Sequence, residues 1–173
     1  MELLSKTKRD ANLKEFQHLV NRIFELSEQL DFGDPFSYNR MREILMAIKL
    51  EHTISLEYAG ADAIDENGDP TEYKSTIQKT LNVTFSGISA FPTWEEQWDY
   101  ICNEKIGCYK WIHCARFEGH KIVETWKISG EDVLRCLETK LHNSWINRNN
   151  RKDQRPGAIL TEKKIKQYGT KVI

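Results

Sequence analysis

Long apolar runs are missing from this 173-residue chain: none approaches the 18 or so residues a membrane span needs, and no charged-then-apolar leader opens it. Cysteine is scarce. Cys102, Cys108, Cys114 and Cys136 form no Cys-x-x-Cys pair, which argues against a disulfide framework and a zinc ribbon alike. Cys108, His113 and Cys114 crowd together, but neighbours on a strand face opposite ways, so their spacing is poor for zinc. The expectation is a reduced, intracellular protein without a membrane partner. Gly (9) and Pro (4) are too few for a linker-rich or low-complexity chain, and no repeat interrupts it. An excess of one charge is also missing. The net charge of −1 excludes a uniformly basic nucleic-acid coat, while 39% hydrophobic against 29% charged residues describes one globular domain spanning 1–173. The charge is nonetheless uneven. From Arg148 to Ile173 there are eight Lys/Arg against two acids, as expected of a polyanion-facing side and equally of a solvated lysine-rich helix.

What is present is ordered by periodicity. The first ten residues are polar and read as frayed. Leu13, Phe16, Leu19, Val20, Ile23, Phe24 and Leu30 then mark one face of a helix over 12–30. That face can dock on the core or serve a partner. Asp31-Phe32-Gly33-Asp34-Pro35 stops it, and a second helix follows over 39–50 with Met41, Ile44, Leu45 and Ile48 on its buried side. His52 to Ile54 leads into a hairpin, and 78–89 is strand-like or irregular. Thr93 with Glu96 three later signals a capped helix that Gly107 ends. Strands follow over 109–117 and 122–128, joined by Glu118-Gly119-His120. Ser129 caps a helix through Leu141, 143–157 reads as a polar loop, and Thr161 caps a last helix that Gly169 stops. Thr170 to Ile173 is a possible edge strand. The class is α/β or α+β, a mixed central sheet flanked by helices.

The hairpin over 56–77, LEYAGADAIDENGDPTEYKSTI, carries the chemistry. Asp65-Glu66-Asn67-Gly68-Asp69-Pro70 supplies its turn. Glu72 and Lys74, two apart on a strand, share a face, and Tyr73 points the other way. If Asp62 joins them, two carboxylates and an ammonium suit a hard divalent cation and a phosphate oxygen. The turn decides whether it does. A two-residue Asn67-Gly68 loop would set Asp62 opposite Tyr73; an odd loop with Gly68 left-handed sets it opposite Glu72. Acid-x-Lys triplets are common, and Glu138-Thr139-Lys140 and Glu162-Lys163-Lys164 recur in helix-like runs as ordinary surface.

GADAIDENGDPTEYKS, with Asp62 ten residues before the glutamate of Glu-x-Lys, resembles the active-site segment of the PD-(D/E)xK nucleases, and most closely the PvuII-type type II restriction endonucleases. The likeness extends through 75–133, including Phe85-Ser86 and Trp111-Ile112, and returns in Tyr168-Gly169-Thr170-Lys171-Val172-Ile173. Ala61 departs from the proline common in the motif.

The resemblance implies a restriction-endonuclease-like core over 34–143, a dimerisation helix over 1–33, and a DNA-recognition loop with a C-terminal helix over 144–173. It implies Mg²⁺, with Mn²⁺ able to substitute, held by Asp62, Glu72 and the Tyr73 carbonyl, with Lys74 as the catalytic amine. The partner implied is double-stranded DNA cut at a short, palindromic site by a homodimer, in a cytoplasmic enzyme of bacterial or phage type. DNA contacts fall on Tyr38 and Asn39 of Ser37-Tyr38-Asn39, on Ser86 and Ser89, and on Gln154 and Arg155 before Pro156. Gly87-Ile88-Ser89-Ala90 lacks the family's base-reading histidines, so the resemblance does not carry over the target sequence. Asn39 also suits a helix cap. Two alternatives stand: a nuclease subunit of a heteromeric or repair enzyme, and a DNA-binding module whose hairpin charges only pair with one another.

Overall fold

The computed structural model describes residues 6–55, 60–150 and 154–173. Helix α1 covers Lys6–Gln29, so of the ten residues expected to fray, 6–10 are helical and 1–5 lie outside the described residues. It closes on Asp31 in a left-handed conformation (φ 53°), with the Phe32 N–H donating to Ser27 O. Helix α2 covers Arg40–Leu50 and buries Arg40, Ile44, Met46 and Ala47. Ile48, expected inside, is exposed, because the buried stripe runs through Ile44 and Ala47 and leaves the next residue on the flank.

The central sheet has the order β1 (Thr53–Ile54), β2 (Ala63–Ile64), β3 (Pro70–Thr76), β5 (Trp111–Glu118), β6 (Lys121–Ser129) and β8 (Thr170–Lys171). Every pairing is antiparallel except β3 with β5. A parallel neighbour requires a long crossover. Here it contains β4 (Val83–Phe85), α3 (Trp94–Tyr100) and a π-helical turn (Ile101–Lys105). The expected capping box is present, with the Thr93 side chain accepting from the Glu96 N–H and the Glu96 carboxylate from the Thr93 N–H. Helix α4 covers Gly130–Ile146, capped by Ser129 through the Asp132 N–H.

The polar loop expected over 143–157 begins later than its composition suggests. Trp145, whose ring NH donates to Phe91 O (3.0 Å), packs beside Trp94 and holds the last turn of α4 in place. A 3-10 turn (Arg148–Asn150) follows. Strand β7 (Ala158–Leu160) pairs with β4 in a separate two-stranded ribbon, and α5 (Glu162–Tyr168) leads to β8 on the sheet edge.

Two apolar clusters sandwich the sheet. The larger joins Ile112, Cys114 and Ile128 to Val133, Leu137 and Leu141 of α4, the β4–β7 ribbon and Ile165. The smaller sets Ala63, Tyr73, Ala115 and Phe117 against Ile44, Met46 and Ala47 of α2. Close backbone approach accompanies the first: a Cβ on Gly130 would lie 2.3 Å from Tyr109 O, and one on Gly107 2.2 Å from Cys102 O. Helix α1 is different. Leu13, Phe16 and Leu19 are 57%, 66% and 53% exposed, and the Phe24–Phe36 ring contact ties its far end to the rest. The apolar stripe does not dock on the core.

Candidate active site

Ala63 faces Thr71 and Ile64 faces Pro70, so Asp65 faces Asp69 and the loop between them is Glu66-Asn67-Gly68. The Asp65 N–H donates to Asp69 O, and the Gly68 N–H to Asp65 O, each at 3.0 Å. The Asp65 carboxylate accepts from the Asn67 and Asp69 N–H groups, both at 2.9 Å. Gly68 takes φ +84°, a left-handed conformation glycine adopts without penalty. This is the odd loop that sets Asp62 across from Glu72.

Asp62 lies one residue before β2 but keeps the ladder on both sides: its N–H donates to Thr71 O (3.1 Å), and its carbonyl accepts from the Ser55 N–H (2.9 Å). Its Oδ2 accepts from the Tyr73 N–H at 2.7 Å. Glu72 and Lys74 form an ion pair. Asp62, Glu72 and Lys74 line one cavity of about 510 Å³ together with Glu43, Asn39, Thr84 and Ser86.

The cavity concentrates negative charge. Burial first, then the charges of Glu72 and Glu43, push Asp62 up to about 7. Burial raises the Glu43 carboxyl, with Arg40 opposing and Glu72 adding to the shift. Burial alone would depress the Lys74 ammonium, but the charge and hydrogen bond of Glu72 outweigh it and hold Lys74 above its usual value. The Lys74 Nζ also lies 5.5 Å from the centre of the Phe85 ring.

Glu43 was not legible as a site residue, since an acid on an amphipathic helix resembles solvent-facing surface. Buried Arg40 pins its setting: Nε donates to Phe32 O (2.7 Å), one terminal nitrogen to Ser55 O (2.5 Å), and the other lies 3.5 Å from Glu43.

Among the described residues, no three His, Cys, Asp or Glu side chains converge as a ready-made metal group. The donor set still fits a hard cation. Asp62 and Glu72 are oxygen donors lining one cavity, the ligand type such a cation takes. With Oδ2 turned to the Tyr73 N–H, Oδ1 is the oxygen such an ion would take.

The other sequence-derived positions divide. Asn39 and Ser86 line the same cavity as Asp62 and Glu72. Asn39 stands at the N-cap of α2 without a side-chain capping bond. Ser86 and Arg155 line an adjoining groove of about 750 Å³, with Lys140 and the β4–β7 ribbon. Tyr38, fully exposed with φ +42°, borders a different hollow beside Phe36 and His120. Exposed Ser89 and Gln154 line none of these; the Ser89 carbonyl accepts from the Gln97 side chain. Part of the C-terminal positive charge is internally engaged, Lys166 with Glu162 and Glu124, and Arg148 over the Trp145 ring.

Beneath the cavity, β3 turns its other face to a buried polar cluster of His52, Tyr73, His113 and Thr71. Burial, the adjacent His52 and Lys127 push His113 down to about 4, and burial also lowers His52. Residues 56–59 at the start of the hairpin, and 151–153 in the loop expected to read DNA, lie outside the described residues. No helix among the described residues is long and apolar enough to cross a membrane. No protein-family model matches the chain, and no curated protein matches its sequence.

Proposed function

We propose that the protein is a Mg²⁺-dependent, type II restriction-type endonuclease that hydrolyses phosphodiesters of double-stranded DNA at a short palindromic site. The observation that carries the reading is the three-residue loop of the site hairpin, which places Asp62 opposite Glu72 in the cavity that Lys74 enters. A phosphodiester resists hydrolysis because attack brings a negative nucleophile to a negative centre. Mg²⁺, when bound, supplies neutralisation of a non-bridging oxygen and a more acidic water. Asp62, Glu72 and the Tyr73 carbonyl would hold it. Lys74 orients the attacking water and stabilises charge developing on the phosphorane, the electrostatic contribution that usually dominates.

The restriction-endonuclease-like core is part of this proposal. It is supported by a mixed sheet in which the site hairpin pairs in parallel with the strand after a long crossover. Dimerisation through α1 is supported by an apolar stripe that the chain itself leaves uncovered. A two-fold dimer sets one site on each strand of a palindrome. Ser86, on the cavity wall, and Arg155, in the adjoining groove, would contact the DNA; Tyr38, Asn39, Ser89 and Gln154 complete the contacts the resemblance assigns.

The test is incubation of purified protein with supercoiled plasmid in Mg²⁺, in Mn²⁺ and in EDTA, followed by sequencing of the ends. Linear products with uniform ends, absent in EDTA, are expected. Nicked circles alone would point to a repair or heteromeric enzyme. A DNA-binding module, for which the direct Glu72–Lys74 ion pair speaks, would retain plasmid without any product.

A further inference from the structure

His52 sits where α2 meets β1. The preceding Glu51 is left-handed (φ 60°), and the His52 N–H donates to Ala47 O at 3.0 Å, which fixes the backbone from which the imidazole projects. Nδ1 lies 2.8 Å from the Tyr73 hydroxyl, and Nε2 lies 3.6 Å from a Glu66 carboxylate oxygen. With its hydrogen on Nε2, the side toward the Glu66 carboxylate, neutral His52 accepts the Tyr73 hydroxyl hydrogen at Nδ1. In the neighbouring pair, with the Thr71 hydroxyl hydrogen directed at Trp111 O (3.0 Å), His113 Nδ1 donates to Thr71 Oγ1 (2.7 Å). The His113 ring closes edge-on against both His52 and Tyr73, with centres 5.0 and 5.9 Å away. Only 4% of the His52 side chain is exposed.

Tyr73 is therefore gripped at two ends. Its N–H is held by Asp62 and its hydroxyl by His52. Its carbonyl is the backbone ligand proposed above. We infer that His52 is a positioning residue for a divalent cation: through the Tyr73 hydroxyl it ties α2 to β3 and fixes the peptide that orients Asp62. This rests on the reading of Asp62 and Glu72 as a metal site. Groups hydrogen-bonded directly to a metal ligand commonly alter affinity about 10–100-fold; His52 acts through the Tyr73 side chain, one step further out, so the lower end of that range is expected.

The test measures Mn²⁺ affinity of the full chain by calorimetry without DNA, alongside the Mg²⁺ concentration giving half-maximal plasmid cleavage. Tyr73→Phe and His52→Ala should each weaken Mn²⁺ binding by roughly tenfold and raise the Mg²⁺ midpoint by a similar factor, with the KM for DNA unchanged. His52→Asn, whose amide oxygen can stand near the place of Nδ1, should keep most of the affinity. The double variant Tyr73→Phe with His52→Ala should be no weaker than either alone. Equal affinity in Tyr73→Phe and the unaltered chain would overturn the inference alone. So would a loss in His52→Asn as large as in His52→Ala. Failure of the unaltered chain to bind Mn²⁺ would overturn the metal site itself, and this inference with it.

Discussion

Glu72 and Lys74 on one face of β3, and Thr71 and Tyr73 on the other, differ in how their polar groups are compensated. On the face toward α2, the Tyr73 hydroxyl pairs with His52, and the Thr71 hydroxyl meets His113 and Trp111 O. On the cavity face, Glu72 pairs with Lys74 while Asp62 and Glu43 line the same cavity, and burial with the neighbouring acids raises Asp62 to about 7. The first arrangement is what a stable interior requires; the second is a local imbalance that costs stability and that a cation would relieve. A strand with two such faces separates the hydrogen bonds that hold the fold from the charges proposed to carry the chemistry.

The sharpest way to break this comparison is Lys74→Ala. Cleavage should fall by about 10²–10³-fold or more, while the circular dichroism spectrum and DNA retention without Mg²⁺ stay near those of the unaltered chain. Retained cleavage would place the chemistry elsewhere.

A smaller effect concerns the imbalance itself. Because the folded pKa of Asp62 is raised, the native state binds a proton more tightly than the unfolded chain between the ordinary carboxylate value and about 7. This contribution to stability is present at low pH and is lost as pH rises through that window. Asp62→Asn, which can still accept from the Tyr73 N–H, should remove the slope. At pH 8 without metal it should be more stable than the unaltered chain by on the order of 1–3 kcal/mol, yet inactive. Urea titrations at pH 5 and pH 8 measure this, and parallel curves for the two proteins would deny the charge crowding.

The smallest effect is on the other face. Thr71→Val, at a fully buried position, leaves His113 Nδ1 without its acceptor and should cost about 1–3 kcal/mol in urea unfolding. Its effect on cleavage should be slight, the reverse of Lys74→Ala.

The sequence made most elements visible because caps and periodicity are local. Thr93 with Glu96, Ser129 before α4, and the left-handed Gly68 are all decided by residues within a few positions. What was missed depends on distant partners. Strand β7 is three residues, too short to show alternation, and exists because Val83–Phe85 offers it an edge. The end of α4 hangs on Trp145 reaching Phe91. His52 and His113 carry no shared local signal, and only the fold brings their rings together. Amphipathicity was plain in both α1 and α4, yet Val133, Leu137 and Leu141 are fully buried while Leu13, Phe16 and Leu19 face outward. Periodicity identifies a face that wants covering; it does not say what covers it.

The hairpin loop Glu66-Asn67-Gly68 has a consequence for how such a chain can drift. Losing or gaining one residue there inverts every side chain beyond the turn relative to its partner strand, turning the acid pair onto opposite sides of the sheet, whereas a change of two restores the pairing. Length at this tip is therefore constrained by parity, and descendants of the protein should tolerate paired insertions where single ones silence them.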